Sequence, residues 1–135
     1  MRKVLIDTNA YASFFFGDET VLDILAKAQI VYMSVFVLGE LYAGFRGGKK
    51  QKQNRLLLDE FLLKPSVSVI DATRETSEIF GQIKYTLKRA GTPMPINDVW
   101  IASHVFETGS VLISYDAHFL RIPGLRIWDE ISESK

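Results

Sequence analysis

Val4-Leu5-Ile6-Asp7-Thr8-Asn9 is the stretch on which the reading of the whole chain turns. Three apolar residues in a row read as a short strand buried on both faces, and Asp7 marks its carboxyl end. In an open parallel sheet, ligands bind in the crevice beyond the carboxyl ends of the strands. An acid there is placed for chemistry, although a strand-terminal Asp also serves as a turn former or a helix cap. The rest of the chain has to separate these roles.

Working outward, the same alternation recurs. Ile30-Val31-Tyr32-Met33, Val67-Ser68-Val69-Ile70-Asp71 and Ser110-Val111-Leu112-Ile113-Ser114 read as further strands, with Leu125-Arg126-Ile127-Trp128 as a short last one. Helical patterns fall between them. One starts at Thr8 or Asn9 as cap and ends at Phe14-Phe15-Phe16, and a second is capped by Thr20. A third follows Ser34 and stops near Gly44, and a fourth carries Leu56, Leu57, Leu58 and Phe61 and ends before Pro65. A fifth starts at residues 71–73 and ends at Gly91, and a sixth is capped by Asn97 and ends at Gly109. Strand–helix alternation of this kind predicts a three-layer α/β/α domain around a parallel sheet of four to five strands. The chain reads as one domain over residues 1–135, with Ser132-Glu133-Ser134-Lys135 as a polar, frayed tail.

Composition narrows the function classes. Sixteen basic residues balance sixteen acidic ones, so only local clusters can argue for a nucleic-acid partner. Cysteine is absent, which excludes thiolate metal sites and a disulfide framework and suits a reducing cytoplasm. The apolar run at the start ends at Asp7, too short for a signal-peptide core, and none approaches a membrane span.

Four acids stand out. Right-handed crossovers open the loops after successive parallel strands on one edge, and Asp7, Glu40, Asp98 and Asp116 all follow a strand or sit early in a helix entering from that edge. Each has an ordinary explanation: a cap for Asp7, a snorkelling side chain for Glu40, a favourable first-turn acid for Asp98. Glu40 is nonetheless the one charge in an apolar helix, between Ser34 and Arg46. Were the four to converge, they could not remain bare anions. Two unit charges 4 Å apart repel by roughly 4 kcal/mol at an effective dielectric near 20. A cation or bound protons must intervene. With no Cys and two His in the chain, the expected donor set is oxygen alone, which suits Mg²⁺ or Mn²⁺ and disfavours zinc. Arg46, Lys49, Lys50, Lys52 and Arg55 form a basic run without an intervening acid, either a solvated loop and helix start or a phosphate-contacting patch. His104, in mid-helix, reads as a packed or surface residue.

Asp7-Thr8-Asn9, Glu40, Asn97-Asp98-Val99-Trp100-Ile101-Ala102 and Ser114-Tyr115-Asp116-Ala117-His118-Phe119, in this order, resemble the PIN-domain family. The ending Arg121-Ile122-Pro123-Gly124-Leu125 is similar to that of the VapC-type toxins of toxin–antitoxin modules. The resemblance spans essentially the whole chain. It implies a Mg²⁺- or Mn²⁺-dependent endoribonuclease with Asp7, Glu40 and Asp98 as central acids, Asp116 as the fourth, and Asn9 and Ser114 as polar support. It also implies a homodimer and a small antitoxin whose C-terminal segment lies in a groove; composition suggests Phe14 to Phe16 and Tyr42 as aromatics lining that groove. Two other readings stay open. A haloacid-dehalogenase-like phosphohydrolase also opens on a strand and an Asp, but needs a second Asp where Asn9 stands. A non-catalytic RNA-binding or scaffold domain of the same fold would not need the four acids.

Overall fold

A computed structural model describes residues 2–128; the expected polar tail lies outside the described residues. Among them, four strands form one parallel sheet in the order β3-β2-β1-β4: β1 (Lys3–Ile6), β2 (Ile30–Ser34), β3 (Val67–Ile70) and β4 (Val111–Ile113). Helices α1 (Thr8–Phe15), α2 (Glu19–Lys27), α3 (Val35–Phe45), α4 (Gln51–Leu62), α5 (Arg74–Ala90) and α6 (Ile96–Thr108) connect and flank it. A 3₁₀ turn, Ala117–Arg121, follows β4. This is the three-layer α/β/α architecture expected.

β1 lies between β2 and β4, which explains its unbroken apolar run: Val4, Leu5 and Ile6 are fully buried. The expected fifth strand is reduced to a single parallel bridge between Leu112 and Ile127. The turn at Pro123-Gly124 brings the chain back so that Leu112 donates to Arg126 O at 2.8 Å and accepts from Trp128 N–H at 3.0 Å, and no longer ladder forms among the described residues.

Three caps differ from expectation. Asp7, not Thr8 or Asn9, caps α1, because Asp7 holds the extended backbone and its Oδ1 accepts from Ala10 N–H at 2.8 Å. Asp18, not Thr20, caps α2, accepting from the N–H groups of Thr20 and Val21. Pro95 occupies the cap position of α6, and Asn97 instead donates its amide to Phe36 O at 3.3 Å, tying α6 to α3. Ser34 caps α3 as expected, accepting from Phe36 N–H at 3.1 Å.

His104 is wholly buried and braces the layers. Its Nε2 lies 3.1 Å from Asp71 O, so that nitrogen donates, and its Nδ1, 2.8 Å from Ser34 Oγ, accepts from the hydroxyl. Both ring nitrogens are thereby satisfied in the neutral form, and burial lowers the imidazole's pKa.

Candidate active site

The register of the sheet builds the site. Ile6 pairs with Ile113 across β1 and β4, so the next residues, Asp7 and Ser114, emerge side by side at the carboxyl edge. Ser114 Oγ donates to Asp7 Oδ2 at 2.5 Å and accepts from the backbone N–H of Asp116 at 2.9 Å. One buried hydroxyl thus fixes two of the acids. Asp7 is 4% exposed, and burial, opposed by its bonds to Ser114 and Ala10 and reinforced by the charges of Asp98 and Asp116, raises its pKa from 3.8 to about 6.

Asp98 arrives in the first turn of α6, and burial raises its pKa too, with His118 acting against the shift. Asp116 precedes the 3₁₀ turn and caps it, accepting from His118 N–H at 3.2 Å. Glu40, at the middle of α3, is exposed rather than buried. Thr8 Oγ1 donates to its Oε1 at 2.6 Å, so α1 holds the acid that α3 carries. Asp7, Glu40, Asp98 and Asp116 line one cleft of about 300 Å³, together with Thr8, Asn9, Asn97 and His118. The four acids named from sequence meet.

Two residues at the centre escaped sequence reasoning. His118 contacts both Asp98 and Asp116 through its ring nitrogens. Its position two residues after Asp116 was the available signal. Thr8 was read only as a cap. An imidazole, which the oxygen-only expectation did not include, stands among the carboxylates. Asp98, Asp116 and His118 each offer one ligand atom, and these atoms lie within 4.8 Å of one another. A buried carboxylate with a raised pKa beside two further acids is a donor set that fits a divalent cation, and its oxygens are those Mg²⁺ and Mn²⁺ accept.

Arg46, Lys49, Lys50 and Lys52 are exposed at the α3–α4 junction, and among the described residues none forms an ion pair. Arg55 lies over the Tyr42 ring, 4.7 Å from its centroid. The expected aromatic groove exists, with a correction to its walls. Phe15 and Phe16 line it, whereas Phe14 packs against Tyr11 and Phe61, and Tyr42 serves Arg55. Among the described residues, no helix is long and apolar enough to cross a membrane.

Taken together, a three-layer α/β/α domain with carboxylates gathered at the open edge of a parallel sheet defines an acid-lined, metal-competent class of fold. The PIN domain family model matches residues 4–125, and the chain belongs to the PIN-domain family. Within it, the chain is 33% identical over 112 residues to Ribonuclease VapC2 of Rickettsia felis, covering 81% of this chain and 82% of that protein. It is 32% identical over 98 residues to the tRNA(fMet)-specific endonuclease VapC of Salmonella typhimurium, covering 72% and 73%. In structure it resembles VapBC2 of Rickettsia felis bound to a promoter DNA fragment, with TM-score 0.82, 27% identity and coverage of 94% of this chain and 99% of that one.

Proposed function

We propose that the acid-lined cleft is the catalytic centre of a divalent-metal-dependent endoribonuclease, with Asp7, Glu40, Asp98 and Asp116 holding the ion. The chain is an RNA-cleaving PIN domain of the VapC kind, the toxin of a toxin–antitoxin pair. The observation that carries the reading is the meeting of four carboxylates from four separate elements in one cleft. A scaffold domain has no use for so costly a gathering of charge. The phosphohydrolase alternative lacks its second Asp, since Asn9 occupies that place.

When bound, Mg²⁺ or Mn²⁺ supplies polarisation of the scissile phosphate and stabilisation of the leaving oxygen. The chain's residues prepare the site. Ser114 fixes the rotamer of Asp7 and the backbone at Asp116, Thr8 fixes Glu40, and Asn97 anchors the start of α6 beside Asp98. His118 bridges Asp98 and Asp116 through its two ring nitrogens. Asn9 adds an exposed amide to the wall of the cleft. Arg46, Lys49, Lys50 and Lys52 supply positive charge for the phosphate backbone.

The partners in this reading are RNA, a second copy of the chain and a small antitoxin. The antitoxin is supported by structural relatives solved as VapBC complexes. The cytoplasm, where RNA is met, is the compartment it requires.

The test is cleavage by the purified chain, free of antitoxin, with Mg²⁺ or Mn²⁺, read as a transcriptome-wide map of new 5′ ends. The wild type should cut and Asp98→Asn should not, with unchanged circular dichroism. Equal cleavage by both proteins, or none by the wild type, overturns the proposal.

A further inference from the structure

Beside the acidic cleft lies a second, apolar hollow of about 270 Å³, and Thr8 and Glu40 form part of the wall of both. Tyr11 and Leu41 form its buried floor, and Phe15 and Phe16 its rim. Phe16 is 85% exposed, an unusual state for a large apolar ring with no role at the surface. On α3 the wall of the hollow includes Gly44. A Cβ built on Gly44 meets nothing within 4 Å, although glycine inside a helix costs about 0.5–1 kcal/mol relative to alanine. The polar end is Asn54, whose amide makes no hydrogen bond among the described residues and offers both donor and acceptor.

We infer that this hollow is a nucleobase subsite: it takes the base of the nucleotide next to the phosphate held over the carboxylates, stacked against Phe16. The inference rests on the ribonuclease reading and deepens it. Charge selects the occupant. The chain leaving the hollow at Phe45 runs directly into Arg46, Lys49, Lys50 and Lys52, cations without carboxylate partners among the described residues. An apolar recess that shares a wall with a metal-competent acidic cleft, on a chain that runs on from its last α3 residue into a basic run, matches a single-stranded polyanion with aromatic side groups. Sequence-tolerant RNA binding uses this combination of stacked bases and neutralised phosphates. The Asn54 amide can read one base edge, as donor and acceptor together.

Two variants leave the catalytic residues alone. Phe16→Ala removes an exposed ring, and Gly44→Leu fills the recess from open space while favouring the helix. The substrate is a single-stranded oligoribonucleotide containing a bond the wild type cuts, compared with versions made abasic on each side of that bond in turn. Both variants should raise KM by about 5- to 100-fold with kcat unchanged, the span of one lost base–aromatic stack. One abasic position should raise the wild-type KM similarly, and on that substrate Phe16→Ala should add nothing. Unchanged KM overturns the inference, as does a full further loss on every abasic substrate. Loss of inhibition by the cognate antitoxin without a change in KM also overturns it, and makes the hollow a protein-binding groove. A wild type that cuts RNA while these variants keep its KM removes the subsite alone; a wild type that cuts nothing removes the ribonuclease reading with it.

Discussion

His118 stands between two acids of the site, with Nε2 2.5 Å from Asp98 Oδ2 and Nδ1 2.7 Å from Asp116 Oδ1. The ring thereby ties the 3₁₀ turn after β4 to the first turn of α6. His118→Ala should destabilise the metal-free protein by about 2 kcal/mol, the scale of hydrogen bonds to charged groups. It should also enlarge the rise in Tm on adding Mn²⁺. Thermal melts with and without Mn²⁺ check this; an unchanged pair of curves would reduce the bridge to a solvated contact.

Asp7 is held where its charge is costly. With a pKa of about 6 folded against 3.8 as reference, the folded state binds more protons between these values, so stability falls as pH rises through that window. Asp7→Asn keeps the cap to Ala10 and can donate to Ser114. It should stabilise the metal-free protein by up to about 3 kcal/mol above pH 6, an advantage vanishing towards pH 4. Urea titrations at pH 4 and 7 measure both ends. Lower stability of the variant at pH 7 contradicts the assignment.

Cation binding requires the ionised acids, so loading the site should release protons near and below pH 6. Calorimetry with Mn²⁺ in buffers of different ionisation enthalpy reads that release. Ser114→Ala removes a bond that lowers the Asp7 pKa, so the acid limb of the cleavage profile should move to higher pH. The affinity for Mn²⁺ should fall about 10- to 100-fold, as for other supports of metal ligands. A limb that stays in place refutes the role given to Ser114.

Lys49→Glu, Lys50→Glu and Lys52→Glu together should weaken RNA binding and flatten its salt dependence. Each lost phosphate contact should reduce the slope of log K against log salt by about 0.7 for a single strand. Filter binding of oligoribonucleotide across a salt series decides it, and an unaltered slope returns the run to solvent.

The fold was legible because β1 and its neighbours are short apolar runs separated by helical periods, and burial on both faces leaves little other reading. The acids were legible as positions too. Asp7 ends a strand, and Glu40 breaks an apolar helix. What the sequence could not convey was competition among adjacent candidates. Asp7, Thr8 and Asn9 can all cap α1, and only the extended backbone at Asp7 selects it. Thr8 then becomes free to hold Glu40. Residues 125–128 have the pattern of a strand, but pairing depends on where the turn before them delivers the chain. His118 was hidden for a similar reason, since its contact with Asp98 spans 20 residues and depends on the 3₁₀ turn.

The strand order has a consequence for synthesis on the ribosome. β1 emerges early, yet its neighbour β4 comes more than a hundred residues later, and that neighbour brings Ser114, Asp116 and His118. A translation product stopped before β4 carries Asp7, Glu40 and Asp98 with neither the hydroxyl that aims Asp7 nor the fourth acid. Premature termination therefore yields fragments without the assembled centre, and a cell making this protein is exposed to its chemistry only when the last strand has closed beside the first.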